Sequence, residues 1–174
     1  TVPDLEDKTV GIIGMGQIGR KVAKRLHGFD VQLLGYDPYA DALPDYVARV
    51  SLDELLVQAD FVTIHGRLTD ETKGMMNARA FSLMKPTAYF INTARAGLVD
   101  EMALYAALKE KRIQGAALDV FEHEPLKGDD PLVGLDNVTI TPHLAGGTVD
   151  AFLHSPVLLA REMEGALSGD LTSP

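Results

Sequence analysis

Three residues of this sequence carry side chains that together can hold and protonate a small carbonyl acid: Arg95, Glu124 and His143. Each stands just past an apolar run. Arg95 ends AYFINTAR, Glu124 ends ALDVFEHE and His143 ends NVTITPH. A guanidinium is a planar fork that binds a carboxylate through two parallel hydrogen bonds and reaches an adjacent carbonyl. An imidazole titrates near neutral pH, so His143 can give a proton to a carbonyl oxygen or take one back. A carboxylate such as Glu124 on the other ring N–H fixes the tautomer and favours the protonated ring. Each residue also has a plain structural reading. Arg95 could be a surface cation paired with Asp100, Glu124 a solvated member of the acidic loop, and His143 a hydrogen-bonded loop histidine after Pro142.

A second group of residues suits phosphates. Gly14-Met15-Gly16-Gln17-Ile18-Gly19 follows the apolar run Val10–Ile13 and opens a segment with helical spacing at Ile18, Val22 and Leu26. In that context Gly14 permits a tight turn, Gly16 lets the backbone approach a pyrophosphate, and Gly19 lets helix and strand pack closely. The helix N-terminus adds free N–H groups and the positive end of the helix dipole. Asp37 lies 18 residues beyond Gly19, at the end of the next apolar run. A carboxylate there accepts the hydroxyl hydrogen bonds of an adenosine ribose and repels a 2′-phosphate, which favours NAD over NADP.

Bringing these residues to one edge requires an ordered series of strands. The pattern predicts strands at Val10–Ile13, Val31–Gly35, Phe61–Ile64, Tyr89–Asn92, Gly115–Val120 and Val138–Ile140. Helices alternate with them. Ser51-Leu52-Asp53-Glu54 is a capping box for one that runs to about Gln58. Asn77 caps a second through Met84, and Asp100 a third, with Lys109, Lys111 and Arg112 near its end. In the tail, Ser155-Pro156 reads as an N-cap and first-position proline that start a helix afresh. Continuous apolar strands alternating with helices predict an α/β fold, a doubly wound parallel sheet of the Rossmann type, in one domain over residues 1–174. In such a sheet ligands bind outside the carboxyl ends of the strands, where Arg95, Glu124 and His143 stand.

The formal charge of −9 argues against an extended nucleic-acid or anionic-membrane surface. With no cysteine there is no disulfide and no thiolate metal site, and no metal is expected. No apolar run reaches the length of a membrane span, and the acidic start TVPDLEDK is unlike a secretory signal, so a cytoplasmic location is the expectation. The sequence opens at Thr1 without Met and reads as a piece of a longer protein.

The stretches GIIGMGQIG, MKPTAYFINTARAGLVDE, GAALDVFEHEP and TPHLAGGT, with Asp37 between the first two, resemble the cofactor domain of the D-isomer-specific 2-hydroxyacid dehydrogenases. The resemblance runs across roughly residues 4–150. It implies NAD as cofactor, Arg95 as the substrate-carboxylate arginine, His143 as the acid/base and Glu124 as its partner. It further implies that Asp119 holds the nicotinamide carboxamide, that Thr93 and Ala94 line the cofactor site with Gln17, Ile18 and Gly146, and that His65 lies near the cofactor. Two positions depart from the family pattern. Ala96 stands where a second glycine is common, and Gly66-Arg67 stands where a proline is common after the histidine.

The implied activity is hydride transfer between nicotinamide and a small D-2-hydroxy or 2-oxo acid. The implied whole is a two-lobed enzyme most of whose substrate lobe lies outside this chain. A homodimer is expected, with Val157, Leu158, Met163 and Leu167 of the closing helix either contributing to it or packing in the core. The competing reading is an NAD-dependent, dimerising binding module of the corepressor kind, which shares the three polar residues. A formate dehydrogenase shares the fold, but Glu124 counts against it.

Overall fold

The computed structural model describes residues 4–168. They fall into two compact units, the first ending at Pro142 and the second starting at His143.

The first unit is built on a sheet of seven strands, all paired parallel. Its strands are β1 (Thr9–Ile13), β2 (Gln32–Tyr36), β3 (Ala48–Arg49), β4 (Phe61–Ile64), β5 (Tyr89–Asn92), β6 (Gly115–Leu118) and β7 (Val138–Ile140). Between them run α1 (Gln17–Leu26), α2 (Leu52–Gln58), α3 (Ala78–Leu83) and α4 (Glu101–Lys109). The spatial order is β3-β2-β1-β4-β5-β6-β7, so the winding direction reverses beside β1. Neighbouring residues on β1 and β2 feed opposite faces. Ile12 and Leu33 belong to one buried cluster with Ala23 of α1, whereas Ile13 and Leu34 belong to another with Leu55, Phe81 and Leu104 of α2, α3 and α4. Both faces are therefore covered, as the unbroken apolar strands require.

The helix starts follow the local chemistry. Ser51 Oγ accepts from Glu54 N, and the Glu54 carboxylate in turn accepts from Ser51 N at 2.8 Å, completing the capping box of α2. Asn77 accepts from Ala80 N at 3.1 Å and Asp100 from Ala103 N at 3.0 Å.

Several boundaries differ from expectation. β3 is a two-residue edge strand, too short to leave a periodic signature. β2 is shifted by one residue to include Tyr36, and β6 stops at Leu118, where neighbouring strands end. α4 ends at Lys109, so Lys111 and Arg112 lie beyond its last turn; Lys111 takes a left-handed backbone, φ 54°.

The second unit contains α5 (Val149–Ser168), which corrects the expected restart at Ser155-Pro156. The helix passes through Pro156 without interruption. The physical reason lies upstream: Thr148 Oγ1 accepts from Ala151 N at 3.1 Å and caps the helix, so Ser155 is not needed as a start. Proline in a helix removes one backbone hydrogen bond, and a 20-residue helix has many others. Val157, Leu158, Met163 and Leu167 are exposed rather than packed in a core.

Candidate active site

The register of the sheet aligns the ends of the strands in one row. Tyr36 pairs with Ile13, Ile13 with Ile64, Ile64 with Asn92, Asn92 with Leu118, and Leu118 with Ile140. The next residue on each strand is Asp37, Gly14, His65, Thr93, Asp119 and Thr141. Five of these six are residues that the sequence singled out. Backbone hydrogen bonds carry the ladder up to this row: Gly14 N to Tyr36 O at 2.8 Å, His65 N to Ile13 O at 2.7 Å, and Asp119 N to Asn92 O at 3.0 Å.

At the switch point, Gly14 adopts φ 88°, and a Cβ there would sit 2.5 Å from Gly66 N. Both the conformation and the space require glycine. Gly19 lies in the first turn of α1, and a Cβ on it would come within 2.0 Å of Gly14 O. Gly16 is different. A Cβ there would meet nothing within 4 Å, so the loop crest faces open space. Gly16 is also the N-cap of α1 and provides no side-chain cap, leaving the first-turn N–H groups of Gln17, Ile18 and Gly19 without one. Bare amide donors at an open crest fit a pyrophosphate.

This geometry separates the glycines by experiment. Gly19→Ala is expected to displace the loop, destabilising the fold by about 1–3 kcal/mol and abolishing measurable NADH binding. Gly16→Ala is expected to leave the thermal midpoint within about a degree or two while still weakening NADH binding, since its methyl projects where the phosphates approach. Thermal melts with NADH fluorescence titrations check both. Normal NADH affinity in Gly16→Ala would remove the pyrophosphate from this crest.

Asp37 is held where β2 meets the glycine loop. Its Oδ2 accepts from Met15 N at 2.8 Å and its Oδ1 from Tyr39 N at 2.9 Å. A carboxylate offers about four acceptor sites, so both oxygens retain capacity for ribose hydroxyls.

A cleft of about 350 Å³ opens beside the glycine loop, lined by Ile18, His65, Gly66, Arg67, Leu68, Thr93, Ala94 and Arg95. It joins the first turn of α1 to the ends of β4 and β5. His65 Nε2 lies 3.0 Å from Thr63 Oγ1, and burial pushes its imidazole below the ordinary histidine value, which favours the neutral ring.

Arg95 is exposed in this cleft, and its Nη1 donates to Ala94 O at 2.6 Å. Asp100 caps α4 instead of pairing with it, and no Arg95–Asp100 ion pair occurs among the described residues. The turn that presents Arg95 is built by Asn92, a residue sequence reasoning passed over. Its side chain is 2% exposed; Nδ2 donates to Arg95 O and Oδ1 accepts from Ala94 N, both at 3.0 Å. The available signal was a lone amide closing an otherwise apolar strand. Ala96 opens a 3₁₀ turn (Ala96–Leu98) and is not among the left-handed residues, so a methyl fits there. At Gly97 the fit is closer: a Cβ would lie 2.9 Å from Leu68 Cδ2, the end of an exposed side chain.

Asp119 is 2% exposed, and its Oδ1 accepts from Thr141 Oγ1. Glu124 is exposed on the loop after β6, and its Oε1 accepts from Phe121 N at 3.0 Å. His143 opens the second unit with a left-handed backbone, φ 55°, and Gly146 lies in the same unit. Among the described residues no group of three or more His, Cys, Asp or Glu could hold a metal ion, and no helix is long and apolar enough to cross a membrane.

A parallel sheet with its switch point beside β1, a glycine loop opening α1 and an acid closing β2 defines a dinucleotide-binding domain. The chain belongs to the D-isomer specific 2-hydroxyacid dehydrogenases: residues 1–145 match the family's NAD binding domain. It is 45% identical over 176 residues to a glyoxylate reductase of Thermofilum pendens, covering 98% of this chain and 52% of that protein. It is 43% identical over 175 residues to a D-3-phosphoglycerate dehydrogenase of Methanocaldococcus jannaschii, covering 97% of this chain and 33% of that one. The chain thus spans 52% of the first relative's length and 33% of the second's. Among solved structures, an acyclic imino acid reductase in complex with NADPH and D-Arg superposes with a TM-score of 0.90 at 34% identity, covering 98% of this chain and 54% of that one.

Proposed function

We propose that the full-length protein is an NAD-dependent oxidoreductase acting on the CH–OH group of a small D-2-hydroxy acid, with residues 1–174 as its NAD-binding domain and most of its substrate lobe elsewhere in the chain. The observation that carries this reading is the cleft that joins the first turn of α1 to Thr93, Ala94 and Arg95. A dinucleotide on the glycine loop and a carboxylate on Arg95 would meet there.

The bound nicotinamide supplies or accepts the hydride. The protein's own residues do the rest. Gln17, Ile18 and Gly19 offer backbone N–H groups to the phosphates, and Asp37 takes the adenosine ribose. Thr93 and Ala94 form the wall beside the cofactor. Asp119, buried at the same row, accepts from the carboxamide, while His65 packs nearby as a neutral ring. Arg95 grips the substrate carboxylate and fixes the face the carbonyl presents. His143 carries the proton, to the carbonyl oxygen during reduction and from the hydroxyl during oxidation, with Glu124 as its partner; Gly146 follows on the same segment. The left-handed backbone of His143 supports a functional constraint, since non-glycine residues adopt it rarely.

Asp37 supports NAD over NADP here, although the imino acid reductase that resembles this chain holds NADPH. The names of the relatives, reductase and dehydrogenase, support the enzyme over the corepressor-like binding module. A cytoplasmic homodimer belongs to the same reading. The exposed apolar side chains of α5, Leu153, Leu158 and Met163 among them, support its second half.

A panel of 2-oxo acids offered with NADH and with NADPH to the full-length protein tests the proposal. The expected result is turnover of at least one small 2-oxo acid, with NADH preferred by tenfold or more. Tight NADH binding with failure across the panel would favour the binding module instead.

A further inference from the structure

The cleft contains a second cation besides Arg95. Arg67 stands on the segment after β4, and Arg95 on the segment after β5; both line the cleft. No Asp or Glu lines it, and burial disfavours a charge on His65. The charges on its walls are therefore two guanidiniums, in a chain whose formal charge is −9. Arg67 has no hydrogen-bonded or ion-paired side-chain partner among the described residues. Two like charges around one small cleft repel each other unless an anion lies between them.

The two segments are fastened together. Leu68, next to Arg67, packs closely on Gly97, two residues beyond Arg95: its Cδ2 would lie 2.9 Å from a Cβ there. Gly74 N donates to Gly97 O at 2.8 Å, Met76 N to Leu98 O at 3.1 Å, and Asp100 N to Met76 O at 3.0 Å. The Arg67 backbone is itself anchored, since its carbonyl accepts from Thr72 Oγ1 at 2.7 Å and that oxygen accepts from Thr69 N at 2.8 Å. Gly66 ahead of it leaves the approach to the cleft open, with nothing within 4 Å of a Cβ. Arg67 is thus a long flexible cation on an anchored base, lining the same cleft as Arg95.

We propose that Arg67 is a specificity-determining residue that binds a second anionic group on the substrate, a distal carboxylate or phosphate, while Arg95 holds the carboxylate next to the reacting carbon. The inference rests on the reading of this cleft as the 2-oxo acid site. It selects doubly anionic 2-hydroxy acids from the class named above.

Matched substrate pairs on the full-length enzyme test it: 2-oxoglutarate against 2-oxopentanoate, and 3-phosphohydroxypyruvate against hydroxypyruvate. The wild type is expected to favour the doubly charged member of at least one pair. In that pair Arg67→Ala should lower kcat/KM at least tenfold for the member with the second anionic group and less than twofold for its partner, with the NADH dissociation constant unchanged. Arg67→Lys should recover part of the loss, because a point charge replaces a fork. Equal losses on both members, or no loss on either, would overturn the proposal. Weakened NADH binding in Arg67→Ala would assign the cation to the cofactor's phosphates and overturn it too. If none of the four compounds is reduced while NADH still binds, it is the underlying 2-oxo acid reading that fails, and this inference with it.

Discussion

Arg95→Ala in the full-length enzyme is expected to lower kcat/KM for every accepted 2-oxo acid by about 10³-fold, with NADH binding changed by less than about threefold. The asymmetry follows from how the residue is held. Asn92 builds the turn through the backbone of Ala94 and Arg95, so deleting the Arg95 side chain leaves the turn and its cofactor-facing wall in place. On the proposed reading, what would go is the bidentate grip on the carboxylate, and with it the orientation of the carbonyl; misplaced reacting groups are inefficient even when bound. Arg95→Lys keeps the charge and loses the fork, so it should recover only a small part of the rate. Steady-state kinetics and NADH fluorescence titration decide the matter. An equal loss of NADH affinity would make Arg95 a cofactor residue.

His143→Asn is expected to reduce kcat by about 10²–10⁴-fold, the range over which positioned acid–base groups act, with little change in NADH affinity. His65 is placed differently: burial disfavours its protonated form, and its Nε2 lies 3.0 Å from Thr63 Oγ1. A rate within twofold of wild type would show that the proton travels by another route.

The local chemistry of the sequence was legible where short-range forces decide. The capping box at Ser51 and Glu54, the caps at Asn77 and Asp100 and the glycine loop are each contained within a few residues, and each forms as read. The tail was misread for the same reason in reverse. Ser155-Pro156 satisfies the local rule for a helix start, but Thr148 had already capped a helix whose turns run on past the proline. β3 was invisible because a two-residue edge strand exists only through its pairing with Leu34 and Gly35.

The candidate site divides along the same line. Residue types and order alone identified a glycine loop, an acid 18 residues on, and an arginine, a glutamate and a histidine past later strands. They also left Ala96 unexplained, which became ordinary once its place in a 3₁₀ turn was seen. Asn92 was overlooked because its role consists of two hydrogen bonds to a turn whose shape the sequence does not spell out. Arg67 was an isolated cation in the sequence, open to solvent or to a ligand. By itself, then, the sequence determined the α/β class, the family and the list of residues able to do chemistry, because apolar period, caps and glycine turns are properties of neighbouring residues. Only the tertiary structure decided that Asp37, Gly14, His65, Thr93 and Asp119 share one row, and that Arg67 and Arg95 share one cleft. Those placements depend on strand register and on the packing of Leu68 against Gly97, between segments about thirty residues apart, and no local rule encodes them.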